Sequence, residues 1–180
     1  MKNQNNQILA IPSSAMRIYS IGLPVLSFFV PFIIGHPQWL IGTVVNACLF
    51  LSAGLLSKKS TTAVIILPSL GVLARGIIFG PMTISLIYFL PFIWAGNYLM
   101  VIVFRWAVQR ISPLFGVILS AITKFAVLFF PAVLYVRLSL VSSLFLQLMG
   151  INQLLTALGG GIIALAFIDI LKNRDCAENK

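Results

Sequence analysis

The chain has 180 residues, of which 60% are hydrophobic and 8% charged, and its formal net charge is +9. Soluble domains carry about a quarter charged residues, and disordered chains are poor in hydrophobics, so both classes are excluded. Lipid admits only helices or closed barrels, and the long apolar runs here are unlike the short alternating strands of a barrel.

The sequence therefore predicts an all-α membrane protein with six transmembrane helices. Residues 1–17 form a polar N-terminal tail. It lacks the apolar stretch and small-residue cleavage site of a signal peptide. The first span is expected at Ile18–Ile34 and holds Pro24 and Pro31; the turn Gly35–Trp39 follows. The second covers Leu40–Leu56 and ends at the SKKST segment Ser57–Thr61. The third covers Thr62–Phe79, with Pro68, Gly71 and Arg75, and closes on a Gly80-Pro81 turn. The fourth is expected at Met82–Phe104 with Pro91 near its middle, where proline kinks a helix. A polar break, Arg105–Ser112, separates it from the fifth span, Pro113–Val136, which carries Lys124.

Ser139, Ser142, Ser143 and Gln147 fall on one helical face of Arg137–Gly150, opposite Leu, Val, Phe and Met. That pattern predicts a short interfacial helix before the last span; extension of a neighbouring span is the other reading. The sixth span, Ile151–Leu171, contains Gly159-Gly160-Gly161, and a charged tail occupies 172–180. Residues 18–171 thus form a single membrane domain.

Six spans sort the basic residues sharply. Of the 12 Lys and Arg, Lys2, Arg17, Lys58, Lys59, Arg105, Arg110, Lys172, Arg174 and Lys180 fall on one side of the membrane. Arg137 alone falls on the other, and Arg75 and Lys124 lie within spans. Positive charge gathers in the cytoplasm, so both termini are expected there, in the plasma membrane. The basic charge is explained by topology, and no nucleic-acid partner is implied. Cys48 and Cys176 sit in unrelated contexts and suggest neither a disulfide nor a metal site.

The acids are Asp169, Asp175 and Glu178, all near the C-terminus. Arg75 lies ~7 Å from its span's outer end, at 1.5 Å per residue, where snorkelling to headgroups competes with a ligand role. Lys124 lies ~16 Å deep, near the midplane, with no carboxylate at that depth. Lys124 is then neutral, or meets carbonyls and water, or faces a ligand that brings negative charge. Gly116, Ser120, Thr123 and Lys124 share a stripe of span five, and Asn152, Gln153, Thr156 and Gly160 a similar stripe of span six. Small and hydroxyl residues are also ordinary helix-packing groups, as are the amides Asn46 and Asn97. The expected site is an outward-facing cavity formed by Lys124, Arg75, Asn152, Gln153 and Tyr88, capped by His36, Gln38 and Trp39. Taken singly, Trp39 also reads as a membrane-interface residue.

No nucleotide-binding loop, zincin helix or nucleophile elbow is present, so the chain is not expected to be an enzyme, nor to hold a metal or cofactor. The segments LPSLGVLARGIIFGP (67–81), LPFIWAGN (90–97) and NQLLTALGGGIIA (152–164), with the size and six spans, resemble the substrate-binding S component of an energy-coupling factor (ECF) transporter. That resemblance implies capture of a vitamin-like or other micronutrient; Lys124 by itself points to a ligand with anionic or strongly hydrogen-bond-accepting groups. It also implies partnership with a T-type membrane subunit and two ATPases. A structural or scaffolding subunit of a membrane complex is the alternative. A lipid-phosphate transferase would need clustered acids or histidines, which the spans lack.

Overall fold

The computed structural model describes residues 13–79 and 86–178. Its helices are α1 (Ser13–Ile33), α2 (Gln38–Leu55), α3 (Lys58–Phe79), α4 (Leu90–Arg110), α5 (Pro113–Arg137), α6 (Leu144–Met149) and α7 (Ile151–Glu178). Among the described residues there is no strand. Six apolar helical segments among them are long enough to cross a bilayer, consistent with a multi-pass membrane protein. Tail residues 1–12, the Gly80-Pro81 turn and the expected start of span four at Met82 lie outside the described residues.

Local chemistry sets the boundaries. The α5 helix starts on Ser112-Pro113: the Phe115 N–H donates to Ser112 Oγ at 3.2 Å, and proline takes a first-turn position. That position needs no amide hydrogen, so proline fits it. Pro91 plays the same part in α4, whose α-helical turns begin at Leu90 after a 3₁₀ turn at 86–89. Pro91 is therefore a helix starter and not the mid-span kink expected from the sequence. Pro24, Pro31, Pro68 and Pro131 do lie inside helices.

Two further boundaries differ from expectation. The α4 helix runs through Arg105 to Arg110, so the polar break is confined to the residues around Ile111. The reason is that Arg105 is half-buried and used. Its Nε donates to the Ala53 carbonyl at 2.9 Å, and its Nη2 donates to the Leu56 carbonyl and Thr61 Oγ1, each at 3.1 Å. These groups surround the C-terminal end of α2, where helix carbonyls lack internal partners.

The second is the stretch after α5. The chain stops being helical at Arg137 and resumes only at Leu144. Ser139 has φ 55°, its N–H donates to the Val136 carbonyl, and the Leu140 N–H donates to the Tyr135 carbonyl. That pair of bonds around a left-handed residue is a Schellman stop. Ser139 therefore ends a helix instead of sharing a face with Ser143 and Gln147. The short α6 is apolar and forms one hydrophobic segment with α7, Leu144–Asn173.

Packing is close along three helix pairs: α1 with α3, α2 with α7, and α4 with α5. In α7, a Cβ on Gly160 would lie 2.6 Å from the Thr43 carbonyl oxygen and 2.7 Å from the Ala47 nitrogen. The α2 and α7 backbones meet there, as small residues allow in membranes. The main core draws on α1 to α5 and α7 around Phe50 and Phe104, whose rings pack edge-on at 4.9 Å. A second apolar cluster gathers Phe89, Leu128, Ala132, Val141, Phe145 and Met149. Phe89 and Phe145 stack there at 5.0 Å.

Candidate functional site

Between these clusters lies a cavity of about 470 Å³, within the usual range for small-molecule sites. Every helix from α1 to α7 contributes to its wall. Most of the wall is apolar, including Pro31, Ile41, Val45, Val72, Ile93 and Leu148. His36 and Gln38 are exposed and line it at one end. Asn46, Asn97 and Lys124 are buried and line its floor, at 1%, 1% and 4% exposure. No Asp or Glu contributes to the lining.

At the floor, hydrogen-bond direction is fixed by one backbone carbonyl. Asn152 C=O can only accept, and Thr156 Oγ1 donates to it at 2.7 Å. The hydroxyl oxygen is then an acceptor, and Asn46 Nδ2 donates to it at 3.1 Å. This leaves Asn46 Oδ1 to accept from Lys124 Nζ at 2.6 Å. The relay joins α7, α2 and α5. A carboxylate is the partner commonly expected for a lysine inside a membrane; here an amide oxygen receives the Lys124 hydrogen bond.

Asn97 is oriented by the same logic. Its Nδ2 donates to the Ile65 carbonyl at 3.0 Å. Exchanging the amide oxygen and nitrogen would set two acceptors against each other, so the oxygen faces away from Ile65. Asn97 Oδ1 is buried and has no partner. The preceding residue, Gly96, packs against the Lys124 side chain: a Cβ on Gly96 would be 3.6 Å from Lys124 Cγ.

Nearer the exposed end, Arg75 Nη1 donates to the carbonyls of Phe32 at 3.1 Å and Ile33 at 2.8 Å. It caps the C-terminal end of α1, a favourable place for a cation. Gly35 lies directly against its guanidinium, where a Cβ would overlap it. The α1–α2 turn is thus held over the cavity by a side chain of α3.

Of the residues singled out in the sequence, Lys124, Arg75, Asn152, Gln153 and His36 share this cavity. Tyr88 and Trp39 do not line it. Tyr88 is 54% exposed and meets Tyr135 edge-on at 6.3 Å, while Trp39 is 64% exposed. Both lie one residue out of phase: Phe89 and Gln38 are the neighbours that turn inward, Phe89 into the core and Gln38 to the cavity. Ser120 and Thr123 do not line it either. Their hydroxyls donate to the carbonyls of Gly116 and Leu119 on their own helix. Gln38, expected beside His36, lines the cavity, and Asn46, Asn97 and Ser69 are additions to the expected set. Asn46 and Asn97 make the interhelical bonds expected of buried amides, and they line the cavity as well. Gly159-Gly160-Gly161 belongs to packing: Gly161 faces Val117 and Phe50, as Gly160 faces α2.

Cys48 is a free thiol buried in the main core. Among the described residues, no three His, Cys, Asp or Glu side chains gather as a metal site would require.

Comparison with known proteins finds no matching family model, no significantly similar curated protein and no significantly similar solved structure. The cavity itself is therefore the ground for any functional reading.

Proposed function

We propose that this chain is the membrane-embedded substrate-binding subunit of an ATP-driven micronutrient importer, an S component of the ECF type. The observation that carries the reading is a largely apolar cavity without a carboxylate in its lining, with the buried Lys124 and Asn46 side chains bonded to each other at its floor. Apolar walls with a few convergent polar groups are what small-molecule sites require. Binding without catalysis fits that lining, and energy would come from a T-type membrane subunit and two ATPases. The uneven distribution of Lys and Arg supports cytoplasmic termini. With that orientation the α1–α2 turn faces outward, and the cavity would load from outside.

The test is native mass spectrometry of the full chain, purified from cells grown in rich medium. A non-lipid small molecule should co-purify at one per chain, with reduced occupancy in Lys124→Met. Uptake in reconstituted vesicles should require the partner subunits. A chain carrying lipid alone would overturn the reading. The Lys124–Asn46–Thr156 relay would then be a structural tie between helices, as the scaffolding alternative holds.

A further inference from the structure

Among the described residues, Lys124 is the one nucleophile left uncommitted at the depth of the cavity. Ser69 Oγ donates to the Ile66 carbonyl and accepts from Trp94 Nε1, each at 2.8 Å. Thr156 Oγ1 is held between Asn46 Nδ2 and the Asn152 carbonyl. His36 stands at the exposed end, and the lining includes no cysteine, tyrosine or carboxylate.

The amine end of Lys124 is the part that meets the cavity. Its stem is covered by Gly96, which is not a lining residue: a Cβ there would lie 3.6 Å from Lys124 Cγ. Its Nζ is bonded to Asn46 Oδ1 at 2.6 Å, and Asn46 and Thr156 both line the cavity. An ammonium at this floor would stand without a counter-charge, whereas an amine needs none. A lysine amine in an apolar pocket is a nucleophile toward carbonyl carbon.

We infer that Lys124 is a covalent capture site, which holds an aldehyde-bearing small molecule as a reversible Schiff base. The Nζ lone pair adds to the aldehyde carbon, and a C–N bond forms. The carbonyl oxygen then leaves as water and takes both hydrogens of the neutral amine. The product is a neutral imine, so no charge is created in a lining without a carboxylate. Water reverses the step. The imine has no hydrogen for Asn46 Oδ1, and that lost bond favours release. The inference rests on the binding-subunit reading and names the ligand chemistry of the same cavity: an aldehyde on a largely apolar body.

The probe is 2-naphthaldehyde, compared with 2-naphthylmethanol and 2-naphthoate on the same ring frame. The full chain in mild detergent meets the aldehyde together with cyanoborohydride, which reduces the imine to a stable amine. Peptide mass spectrometry locates the label. Lys124 should be labelled about tenfold or more faster than the exposed Lys58, Lys59 and Lys172. Excess 2-naphthylmethanol, which fills the space without reacting, should slow the Lys124 label and spare the other three. Lys124→Met should lose the fast label alone. Where that variant does not fold, the unaltered chain suffices, because unfolding it in denaturant should abolish the preference for Lys124.

Labelling of Lys124 no faster than of the exposed lysines overturns the inference, as does a Lys124 label indifferent to the alcohol. If 2-naphthoate binds by ligand-detected NMR while Lys124 stays unlabelled, the floor is an anion site; the covalent assignment falls and the binding subunit stands. Fast labelling in a chain that co-purifies with lipid alone supports the reactive amine and overturns only the importer reading.

Discussion

Lys124 and Asn46 lie 78 positions apart in the chain, yet Lys124 Nζ donates to Asn46 Oδ1 across 2.6 Å inside the bundle. The bond is one step in a relay whose direction is set by the Asn152 carbonyl. A buried lysine amine held by a neutral amide is both a structural tie and a group with donor capacity left for a ligand.

The tie should appear as thermodynamic coupling. Lys124→Met leaves Asn46 Oδ1 buried without a donor, and Asn46→Leu leaves the Lys124 amine without its acceptor. Each single change should cost about 1–3 kcal/mol. The double variant should cost less than their sum by about 0.5–3 kcal/mol, the range for groups in contact. Thermal unfolding in detergent measures all three. Strictly additive costs would show that the bond is not energetically significant.

Arg105 fastens α4 to the end of α2. Arg105→Ala removes the donor from the Ala53 and Leu56 carbonyls and from Thr61 Oγ1. The expected loss is about 1–3 kcal/mol. Arg105→Lys should recover only part of it, because one ammonium lacks the planar fork of a guanidinium. Full recovery by lysine in the same unfolding assay would mean that charge alone, and not the fork, matters.

Adjacent glycines in α7 should respond differently to alanine. A Cβ at Gly160 meets the α2 backbone at 2.6 Å, whereas one at Gly159 meets only the Thr43 side chain, at 3.6 Å. Gly160→Ala should destabilise by about 1–3 kcal/mol, as overpacking does. Gly159→Ala should be near neutral. Similar melting temperatures for the two variants would contradict the close α2–α7 approach.

Ser139 holds a left-handed conformation at φ 55°, which costs a residue with a Cβ about 1–2 kcal/mol. Ser139→Gly should therefore stabilise the chain, by up to about 1 kcal/mol after glycine's larger unfolded-state entropy is counted. A lower melting temperature for the glycine variant would argue that the Ser139 hydroxyl has a role of its own.

Topology is open to direct measurement. Reporter fusions after Lys59 and after Arg110 should read cytoplasmic, and an insertion in Gly35–Trp39 should read external. An external signal at Lys59 would invert the orientation and close the proposed route into the cavity from outside.

The six apolar segments are legible in the sequence because hydropathy over twenty residues is a strong signal. The cavity is legible in part. Lys124 and Arg75 stand out as charges among apolar neighbours, and Asn152 and Gln153 as amides opening an apolar run. Tyr88 and Trp39 miss it by one position, because periodicity alone does not fix the rotation of a 3₁₀ turn or of a helix's first turn. The polar character of Arg105 suggests a loop, but its partners are carbonyls at the end of another helix, which no local pattern reveals. Asn46 is visible as a polar residue, but not as the partner of Lys124. An amide in that role becomes identifiable only when α2 and α5 are seen side by side.

Positions 46, 124 and 156 are bound by the polarity of their hydrogen bonds and so are not free to drift separately. Thr156 can persist alone, since its proton still reaches the Asn152 carbonyl. Asn46 keeps the Thr156 hydroxyl for its nitrogen but loses the donor to its oxygen once Lys124 is gone. Related chains that have abandoned the lysine should therefore have exchanged the asparagine in the same lineage, while the threonine is retained. The order of replacement runs outward from position 124, opposite to the order in which the hydrogen bonds are oriented.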